Sequence, residues 1–496
     1  MRLNQSQKKN LGELARLVGA TVSEEKSSVI FTGITSHSRK VMHGDLFIAA
    51  QGATGHGADY ASAAIAAGAV AVVTDSAGSR QLAGLSVPVM EVSSLSEMAG
   101  EIASWFYGRP ASRMRTMGIT GTNGKTTTAS LLSQLLKFQN RSVSVIGTLG
   151  AELGGEILET GFTTPEADQL QRFFALALER RSTDLVMEVS SHALSLGRVI
   201  GTQFAMVGFT NLTQDHLDFH GDLESYFQAK KKLFASEYSD LGFVNIDDAF
   251  GLRLVEESDI DIQTLSKSNP HAHWHYTKIE SELTGYNIAI RGTGGILIEG
   301  SLHLFGAHNL DNALMAVAMA VENGLDPLAV GQDLSQLRAA PGRLELVQPS
   351  APFTALVDYA HTPDAVEHVL AAMRERTIGR VIAVLGCGGD RDSSKRPIMG
   401  DALIAGSDIA IMTSDNPRSE DPSAILRQMA GSHTESDSLF IEADRRKAIA
   451  LAVAMAEKGD CILILGKGHE TGQLIEGVKH PFDDRLELSR AIEVLA

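Results

Sequence analysis

The chain has 496 residues, which suggests roughly three domains. Hydrophobic residues make up 44% and charged residues 21%, the balance of a globular enzyme with several cores. The net charge of −17 excludes a general nucleic-acid or anionic-membrane binder, which would need a basic face; local Arg, Lys or Mg²⁺ can still hold anionic substrates. Cys387 and Cys461 are too few for a disulfide framework and lack metal-ligand spacing. The first residues, MRLNQSQKKN, lack the apolar core of a signal peptide, and no apolar run is long enough to span a bilayer. A cytoplasmic protein is the simplest reading, and a monomer is expected.

Residues 1–108 alternate short strands and helices. Val29–Thr32, Asp45–Ala49 and Ala69–Thr74 read as strands, and Tyr60–Ala67 as an Ala-rich helix. Thr35-Ser36-His37-Ser38-Arg39 and the glycine-rich stretch Gln51–Gly57 offer donors that suit a phosphate or sugar and equally suit a turn. Gly108-Arg109-Pro110 marks a boundary.

The second region runs from 109 to 340. An apolar run leads into Gly121-Thr122-Asn123-Gly124-Lys125-Thr126-Thr127, and a helical pattern follows. Strand, glycine turn, Lys-Thr and helix is the arrangement that cradles a nucleotide triphosphate. Backbone amides and the helix N-terminus face phosphate oxygens, Lys125 adds a full charge, and the Thr126 hydroxyl can face Mg²⁺. The general pattern has a Gly five residues before Gly124, where this chain has Ile119. Apolar runs at Val143–Ile146, Leu185–Val189, Met206–Phe209 and Phe243–Ile246 predict a mainly parallel sheet with both faces covered. Ile288–Ile290 with Gly295–Leu304 predicts a hairpin, and Leu310–Glu322 a helix capped by Asn309.

Glu188 ends an apolar strand, where a carboxylate is costly unless paired or metal-bound. Beside a phosphate loop it suits a Mg²⁺ ligand or water holder. His216 is a second ligand candidate, although a histidine is as often structural. In SYFQAKKKLF, Lys230 shares a helical face with Tyr226, Phe227, Leu233 and Phe234. Such a lysine must snorkel, pair or lose its charge. A neutral amine can take up CO₂ as a carbamate and become an oxygen ligand; snorkelling is the commoner fate.

The third region, 341–496, alternates more cleanly. Strands are predicted at Ala355–Asp358, Val381–Leu385, Ile409–Thr413, Leu439–Ile441 and Cys461–Leu465, with helices between. This is a doubly wound α/β pattern, which binds ligands at the carboxyl ends of its strands. Four loops there are dense in Asp, Arg and Gly: DYAHTP from Asp358, GGDRD from Gly388, DNPR from Asp415 and GKGHE from Gly466. Together they suit a zwitterionic, carboxylate-bearing molecule, with Arg391 and Arg418 as carboxylate grips.

These motifs in this order resemble the Mur ligases, ATP-dependent amide-bond-forming enzymes of bacterial cell-wall synthesis. GTNGKTTT, EVSSHAL, FTNLTQDHLDFHG, the AK of QAKKKLF, GAHNLDNALMA, PGRLE, DYAHTPDA, CGGDRDSSKRP, DNPR and GKGHE all match, over nearly the whole chain. The resemblance implies three α/β domains: a small UDP-sugar-binding domain (1–108), a central ATP-binding domain with a phosphate loop (109–340), and a Rossmann-like amino-acid-binding domain (341–496). Within the family, DNPR points to the branch that adds meso-2,6-diaminopimelate to UDP-N-acetylmuramoyl-L-Ala-D-Glu. Lysine-adding relatives typically carry another residue in place of Arg418.

By the same resemblance, Gly121, Thr122, Asn123, Gly124, Lys125, Thr126, Thr127, Asn309, Asn312 and Arg343 bind ATP. Thr126, Glu188, His216 and the Lys230 carbamate organise Mg²⁺. Ser36, Ser38, Ala53, Thr54, Gly55, Thr163, Thr164, Ser190 and Arg198 hold the UDP-muramoyl-dipeptide. Arg391, Asp415, Asn416, Pro417, Arg418, Gly466 and Glu470 hold diaminopimelate. Lys125, Lys230, His216, Asp358 and His361 are the catalytic candidates. The implied reaction runs through an acyl phosphate, with the domains closing to exclude water. A sibling ligase adding lysine or extending folates, and a nucleotide-dependent regulatory protein without chemistry, are the alternatives.

Overall fold

A computed structural model describes residues 7–52, 55–282, 285–347 and 350–495. The chain forms two compact units. One comprises residues 1–276, 291–297 and 314–330; the other comprises 277–290, 298–313 and 331–496.

The first unit begins with helix α1 (Leu11–Val18), capped by a reciprocal Asn10–Glu13 box. A four-stranded parallel sheet follows: β1 (Gly33–Thr35), β2 (Asp45–Ala49), β3 (Ala71–Thr74) and β4 (Val89–Glu91), in that order. Helices α2 (Ala61–Ala66) and α3 (Leu95–Phe106) each pack into one of the two cores that flank this sheet. The strand expected over Val29–Thr32 is broken. Ile30–Phe31 pairs separately with Lys9–Asn10, and Thr32 bends the chain by donating its N–H to Gly44.

The larger sheet of this unit is built on β5 (Arg115–Thr120), which leads into α4 (Lys125–Phe138). It continues with β6 (Val143–Gly147), α5 (Ala167–Glu179), β7 (Asp184–Glu188), β8 (Met206–Phe209), α6 (Leu223–Lys231), β9 (Leu241–Asn245) and β10 (Asp261–Ser266). Six strands of this sheet lie in the order β6-β7-β5-β8-β9-β10, parallel at each of these pairings, while Gly150–Leu153 pairs antiparallel with the outer side of β6. The phosphate-loop strand β5 is therefore flanked by β7 and β8, and the polar residues that end all three meet at one edge. The apolar runs read in the sequence are buried on both faces, with Leu185, Val186 and Met187 of β7 fully enclosed.

Helix α7 (His308–Glu322) starts two residues before the expected Leu310. Asn309 is therefore inside the first turn rather than the cap, and its amide donates to the Phe305 carbonyl (2.7 Å). From residue 350 on, the second unit is the doubly wound domain. Its elements are β11 (Thr354–Asp358), α8 (Pro363–Arg374), β12 (Val381–Cys387), α9 (Lys395–Gly406), β13 (Ile409–Ser414), α10 (Pro422–Ala430), β14 (Leu439–Ile441), α11 (Arg445–Met455), β15 (Cys461–Leu465) and α12 (Asp484–Leu495). Five strands run parallel in the order β11-β15-β12-β13-β14, so β15 inserts between β11 and β12, and the short strand Glu345–Leu346 adds antiparallel to β11. Alternate residues feed two separate cores: Val381, Ala383 and Leu385 pack on one face, Ile382 and Val384 on the other. The expected glycine loop at Gly386 begins two residues later, because Gly386 and Cys387 still pair with Thr413 and Ser414. A hairpin, Gly472–Ile475 with Val478–Pro481, was not expected from the sequence. No helix among the described residues is long and apolar enough to cross a membrane.

Candidate active site

The phosphate loop explains its own departure from the general pattern. Ile119 is fully buried inside β5, paired with Glu188 and Gly208, so the turn cannot start there. It starts at Gly121, whose φ is +143°. A Cβ on Gly121 would lie 1.8 Å from the Thr210 hydroxyl, so this position admits only glycine. Gly124, at φ +85°, then turns the chain into α4. The loop is braced from β8: Asn211 accepts from the Thr122 N–H through its carbonyl (2.8 Å) and from the Asn123 N–H through its side chain (3.0 Å). The first-turn amides of α4, which an α-helix leaves without intrahelical partners, point to the phosphate-binding role. Thr126 and Thr127 are buried in that turn.

Lys125 Nζ donates to the carbonyls of Gly121 and Thr122 (2.8 Å each). Lys230, buried to 1% exposure, donates to the same Gly121 oxygen (2.8 Å) and lies over the Tyr226 ring. Burial and the nearby Lys125 charge push the Lys230 pKa well below the usual lysine range. The helical-face reading of this lysine is thus realised: it neither snorkels nor finds a carboxylate within bonding distance. Its neighbour Lys231 instead pairs with Glu257 (2.8 Å).

Glu188 is 2% exposed. It accepts from the Thr126 hydroxyl (2.9 Å), the Thr148 N–H (2.8 Å) and the Thr148 hydroxyl (3.2 Å). A Cβ at Gly147 would meet its carboxylate at 2.2 Å, so the glycine ending β6 makes room for it. Thr126 and Glu188 are adjacent hard oxygen donors of the kind Mg²⁺ takes. Among the described residues no group of three or more His, Cys, Asp or Glu could hold a metal ion. An ion here would therefore take most of its ligands from phosphate and water, as Mg²⁺ commonly does. His216 is half exposed and edge-on to His192 (ring centroids 4.8 Å) and Tyr226 (6.3 Å). Burial and the neighbouring imidazoles lower the pKa of both His192 and His220.

Thr163 and Thr164 join the same network. Thr163 bonds the Thr148 hydroxyl (3.1 Å), and Thr164 donates to the Glu188 backbone carbonyl (2.9 Å) while accepting from the Ser190 N–H (3.0 Å). Arg198 is 8% exposed, donates to the Thr164 carbonyl (3.2 Å) and Glu166 (2.6 Å), and lies over Phe162. Ser36 is tied by its N–H (3.1 Å) and hydroxyl (2.8 Å) to Asp168 of α5. Ser38 opens a short 3₁₀ turn, and Gly55 ends a loop in which its carbonyl accepts from Gly52. Ala53 and Thr54 lie outside the described residues.

In the second unit, Asp358 ends β11 and accepts from the N–H groups of Leu344 (2.7 Å) and Ala360 (2.8 Å). Burial raises its pKa. Arg343 lies over the Tyr359 ring, which also contacts His361 and His469. His361 is exposed, with Nδ1 against the Tyr359 carbonyl (2.8 Å). Asn312 donates to Asn309 (2.9 Å).

The DNPR and GKGHE loops interlock. Asn416 donates to Glu470 (2.9 Å) and accepts from Lys467 Nζ (3.1 Å) and the Leu474 N–H (2.9 Å), which fixes its amide orientation. Lys467, fully buried, also donates to Glu470 (2.9 Å) and lies 3.7 Å from Asp415. Burial raises the Asp415 pKa against the pull of Lys467; at Glu470 burial is outweighed by Lys467 and Asn416, and the pKa is lowered. Arg418 is half buried, at φ +53°, and donates to the Gly389 carbonyl. A Cβ on Gly388 would meet an Arg418 guanidinium nitrogen at 2.9 Å and the Arg391 Cγ at 3.8 Å, so Gly388 makes room for the Arg418 head and the Arg391 stem. Pro417 is buried behind them, its carbonyl packed on Gly389. Gly466, at φ +107°, lets Asp415 approach to 2.9 Å from its Cβ position. Thr148, Gly147, Asn211, Asp168 and Lys467 are the site residues that reading the sequence missed. Of these, Asn211 and Lys467 stood inside noted motifs.

The chain matches three family descriptions: "Mur ligase family, catalytic domain" over residues 30–107, "Mur ligase middle domain" over 119–320, and "Mur ligase, glutamate ligase domain" over 342–468. It is 44% identical over 490 residues to a Streptomyces coelicolor protein named UDP-N-acetylmuramoyl-L-alanyl-D-glutamate–2,6-diaminopimelate ligase, covering 97% of this chain and 96% of that one. A relative of the same name from Streptomyces avermitilis is 46% identical with the same coverage. A solved structure bearing that name superposes with a TM-score of 0.72 at 31% identity, covering 97% of this chain and 98% of the other. On these matches, which run the length of both phosphate-loop and doubly wound sheets, the chain belongs to the Mur ligase family.

Proposed function

We propose that the two polar sheet edges divide one amide-forming reaction: the first unit handles phosphoryl transfer and the second holds the incoming amino acid. The chain is an ATP-dependent ligase that adds meso-2,6-diaminopimelate to the D-glutamate of UDP-N-acetylmuramoyl-L-alanyl-D-glutamate, in peptidoglycan synthesis. The observation that carries the amino-acid assignment is the half-buried Arg418, its guanidinium held at the Gly388–Gly389 turn of the loop that bears Arg391, beside the Asp415–Asn416–Lys467–Glu470 network. Diaminopimelate bears a carboxylate at each end, and lysine lacks the distal one. A guanidinium left without its carboxylate in a half-buried site penalises lysine.

A carboxylate does not condense with an amine at neutral pH, because oxide is too poor a leaving group. Lys125 and the first-turn amides of α4 would hold the ATP phosphates so that a D-glutamate carboxylate oxygen attacks the γ-phosphorus and ADP departs. Thr126 and Glu188, with Lys230 once it has taken up CO₂ as a carbamate, would hold Mg²⁺, which neutralises charge on the phosphates. His216 is kept as a further ligand or shell residue. The diaminopimelate amine then attacks the acyl carbon, phosphate leaves with its electron pair, and the amine proton is lost; Asp358 and His361 are the candidate acceptors. Asn309, Asn312 and Arg343 are assigned to ATP. Ser36, Ser38, Thr163, Thr164, Ser190 and Arg198 are assigned to the nucleotide-sugar substrate.

The division into 1–108, 109–340 and 341–496 is supported by the three family matches, which fall one within each part. One chain carries both sets of groups, and we take it as a monomer. The test is amide formation and phosphate release from UDP-muramoyl-dipeptide and ATP with diaminopimelate against lysine. Preference for diaminopimelate by about a hundredfold or more is expected from the loss of a charged contact; equal use of lysine would overturn the amino-acid assignment.

A further inference from the structure

The doubly wound sheet hides an ion pair that none of the assigned roles uses. Arg445 and Asp484 both have fully buried side chains. The pair is bidentate, with Arg445 Nε to one carboxylate oxygen at 2.7 Å and Nη2 to the other at 2.6 Å. Each residue opens a helix, Arg445 at the start of α11 and Asp484 at the start of α12. The guanidinium has two more partners: Nη2 donates to the Leu465 carbonyl (2.8 Å) and Nη1 to the Ser414 carbonyl (3.3 Å).

Those two carbonyls identify what the pair does. Ser414 is the last residue of β13 and immediately precedes Asp415-Asn416-Pro417-Arg418. Leu465 is the last residue of β15 and immediately precedes Gly466-Lys467-Gly468-His469-Glu470. The two strands are not neighbours, because β12 lies between them. One planar guanidinium therefore ties the roots of both loops across the end of an intervening strand. The tolerance there is small: a Cβ on Gly386 would lie 2.7 Å from the Asp415 N–H nitrogen, and one on Gly466 would lie 2.9 Å from the Asp415 carboxylate.

We infer that Arg445, clamped by Asp484, is a positioning residue that sets the spacing of the two loops that hold the amino-acid substrate and thereby tunes its affinity. The inference rests on the assignment of those loops to diaminopimelate. Its chemistry favours Arg over any other residue. A lysine has one nitrogen and cannot meet a bidentate carboxylate and two carbonyls spread over a plane. A buried pair of this kind is weak evidence for stability in itself, and an apolar replacement often serves as well. The four directed bonds argue for geometry as the purpose. Around the pair the buried Lys467 stands between the buried Asp415 and the partly exposed Glu470, so a shift of either loop root would also disturb these contacts.

The experiment compares wild type, R445K and D484N in steady-state amide formation, varying each of the three substrates in turn. For R445K the diaminopimelate KM is expected to rise about ten- to a hundredfold, the cost of a small displacement of binding groups. The KM values for ATP and for UDP-muramoyl-dipeptide, and kcat at saturating diaminopimelate, are expected to stay within about threefold. D484N keeps the guanidinium and its carbonyl bonds and is expected to give a smaller rise in the same KM alone. If R445K does not accumulate as folded protein, D484N is read by the same criterion. A parallel loss across all three substrates, or a diaminopimelate KM that does not move, overturns the inference while leaving the assigned reaction intact. A wild type that fails to use diaminopimelate overturns the assigned amino acid, and this inference with it.

Discussion

The edges of the two large parallel sheets carry polar residues of opposite electrical logic. At the phosphate-loop edge two lysines share one acceptor, the Gly121 carbonyl, and the buried carboxylate Glu188 is satisfied by hydroxyls and an amide rather than by a cation. At the doubly wound edge, carboxylates and cations are interleaved at close range, with Lys467 against Glu470 and Asp415, and Arg445 against Asp484. The first arrangement sets Lys125 and fixed backbone amides at a helix N-terminus, a combination suited to a polyphosphate. The second is nearly neutral and directional, which suits a zwitterion. The architecture supplies only the edge, and the charges placed there decide which ligand it takes.

The largest effect should come from the buried lysine, where the comparison is most exposed. Lys230→Ala is expected to lower amide formation and ATP-dependent phosphate release by at least about a hundredfold, as for loss of a group that organises transition-state charge. A short carboxylate added to the variant should restore part of the rate, and ¹³CO₂ should give a carbamate signal in wild type that the variant lacks. Full activity in the variant would remove the chemical reason for placing an amine in this pocket.

At the other edge, Arg418→Ala should raise the KM for diaminopimelate by about ten- to a hundredfold, the usual worth of one charge-assisted contact. The KM for ATP should hardly change, and discrimination against lysine should relax. Equal changes for ATP and diaminopimelate would mean that Arg418 supports the fold rather than the ligand.

The elements themselves were legible because both sheets are buried on two faces. Runs such as Val381–Leu385 and Leu185–Val189 read as strands at once, and Glu188 and Lys230 stood out as charges among apolar neighbours. Strand order was not legible, since nothing local to Cys461–Leu465 says that it inserts between β11 and β12. The bracing residues escaped for a related reason. Thr148, Asn211, Asp168 and Arg445 are ordinary in their own segments. Their roles come from partners 20 or more residues away, such as Leu465 for Arg445 at a separation of 20, Glu188 for Thr148 at 40 and Ser36 for Asp168 at 132. Asn309 misled in the opposite way: asparagine is a good cap, but the helix had already begun at His308. His216 is half exposed, 3.5 Å from Asp215 and in ring contact with His192.

The smallest predicted effect separates structure from chemistry within a single strand. β7 carries a buried carboxylate at each end, Asp184 at its start and Glu188 at its finish. Asp184 is bound by Arg141 (2.9 and 3.0 Å), Thr183 (2.6 Å) and Asn323 (2.7 Å). Burial alone would raise its pKa, but these partners outweigh it and the pKa is lowered. A carboxylate whose folded pKa lies below its unfolded value contributes stability that is present above the unfolded value of about 3.9 and lost as pH falls through the folded one. Asp184→Asn should therefore cost about 2 kcal/mol at neutral pH, the worth of charged hydrogen bonds. The gap between variant and wild type in thermal or urea unfolding should narrow as pH falls below about 4. The KM for ATP should not move, because Asp184 lies at the end of the strand away from the phosphate loop. A shift in that KM, or a stability gap that widens in acid, would show that the two ends of β7 are not divided between fold and chemistry in this way.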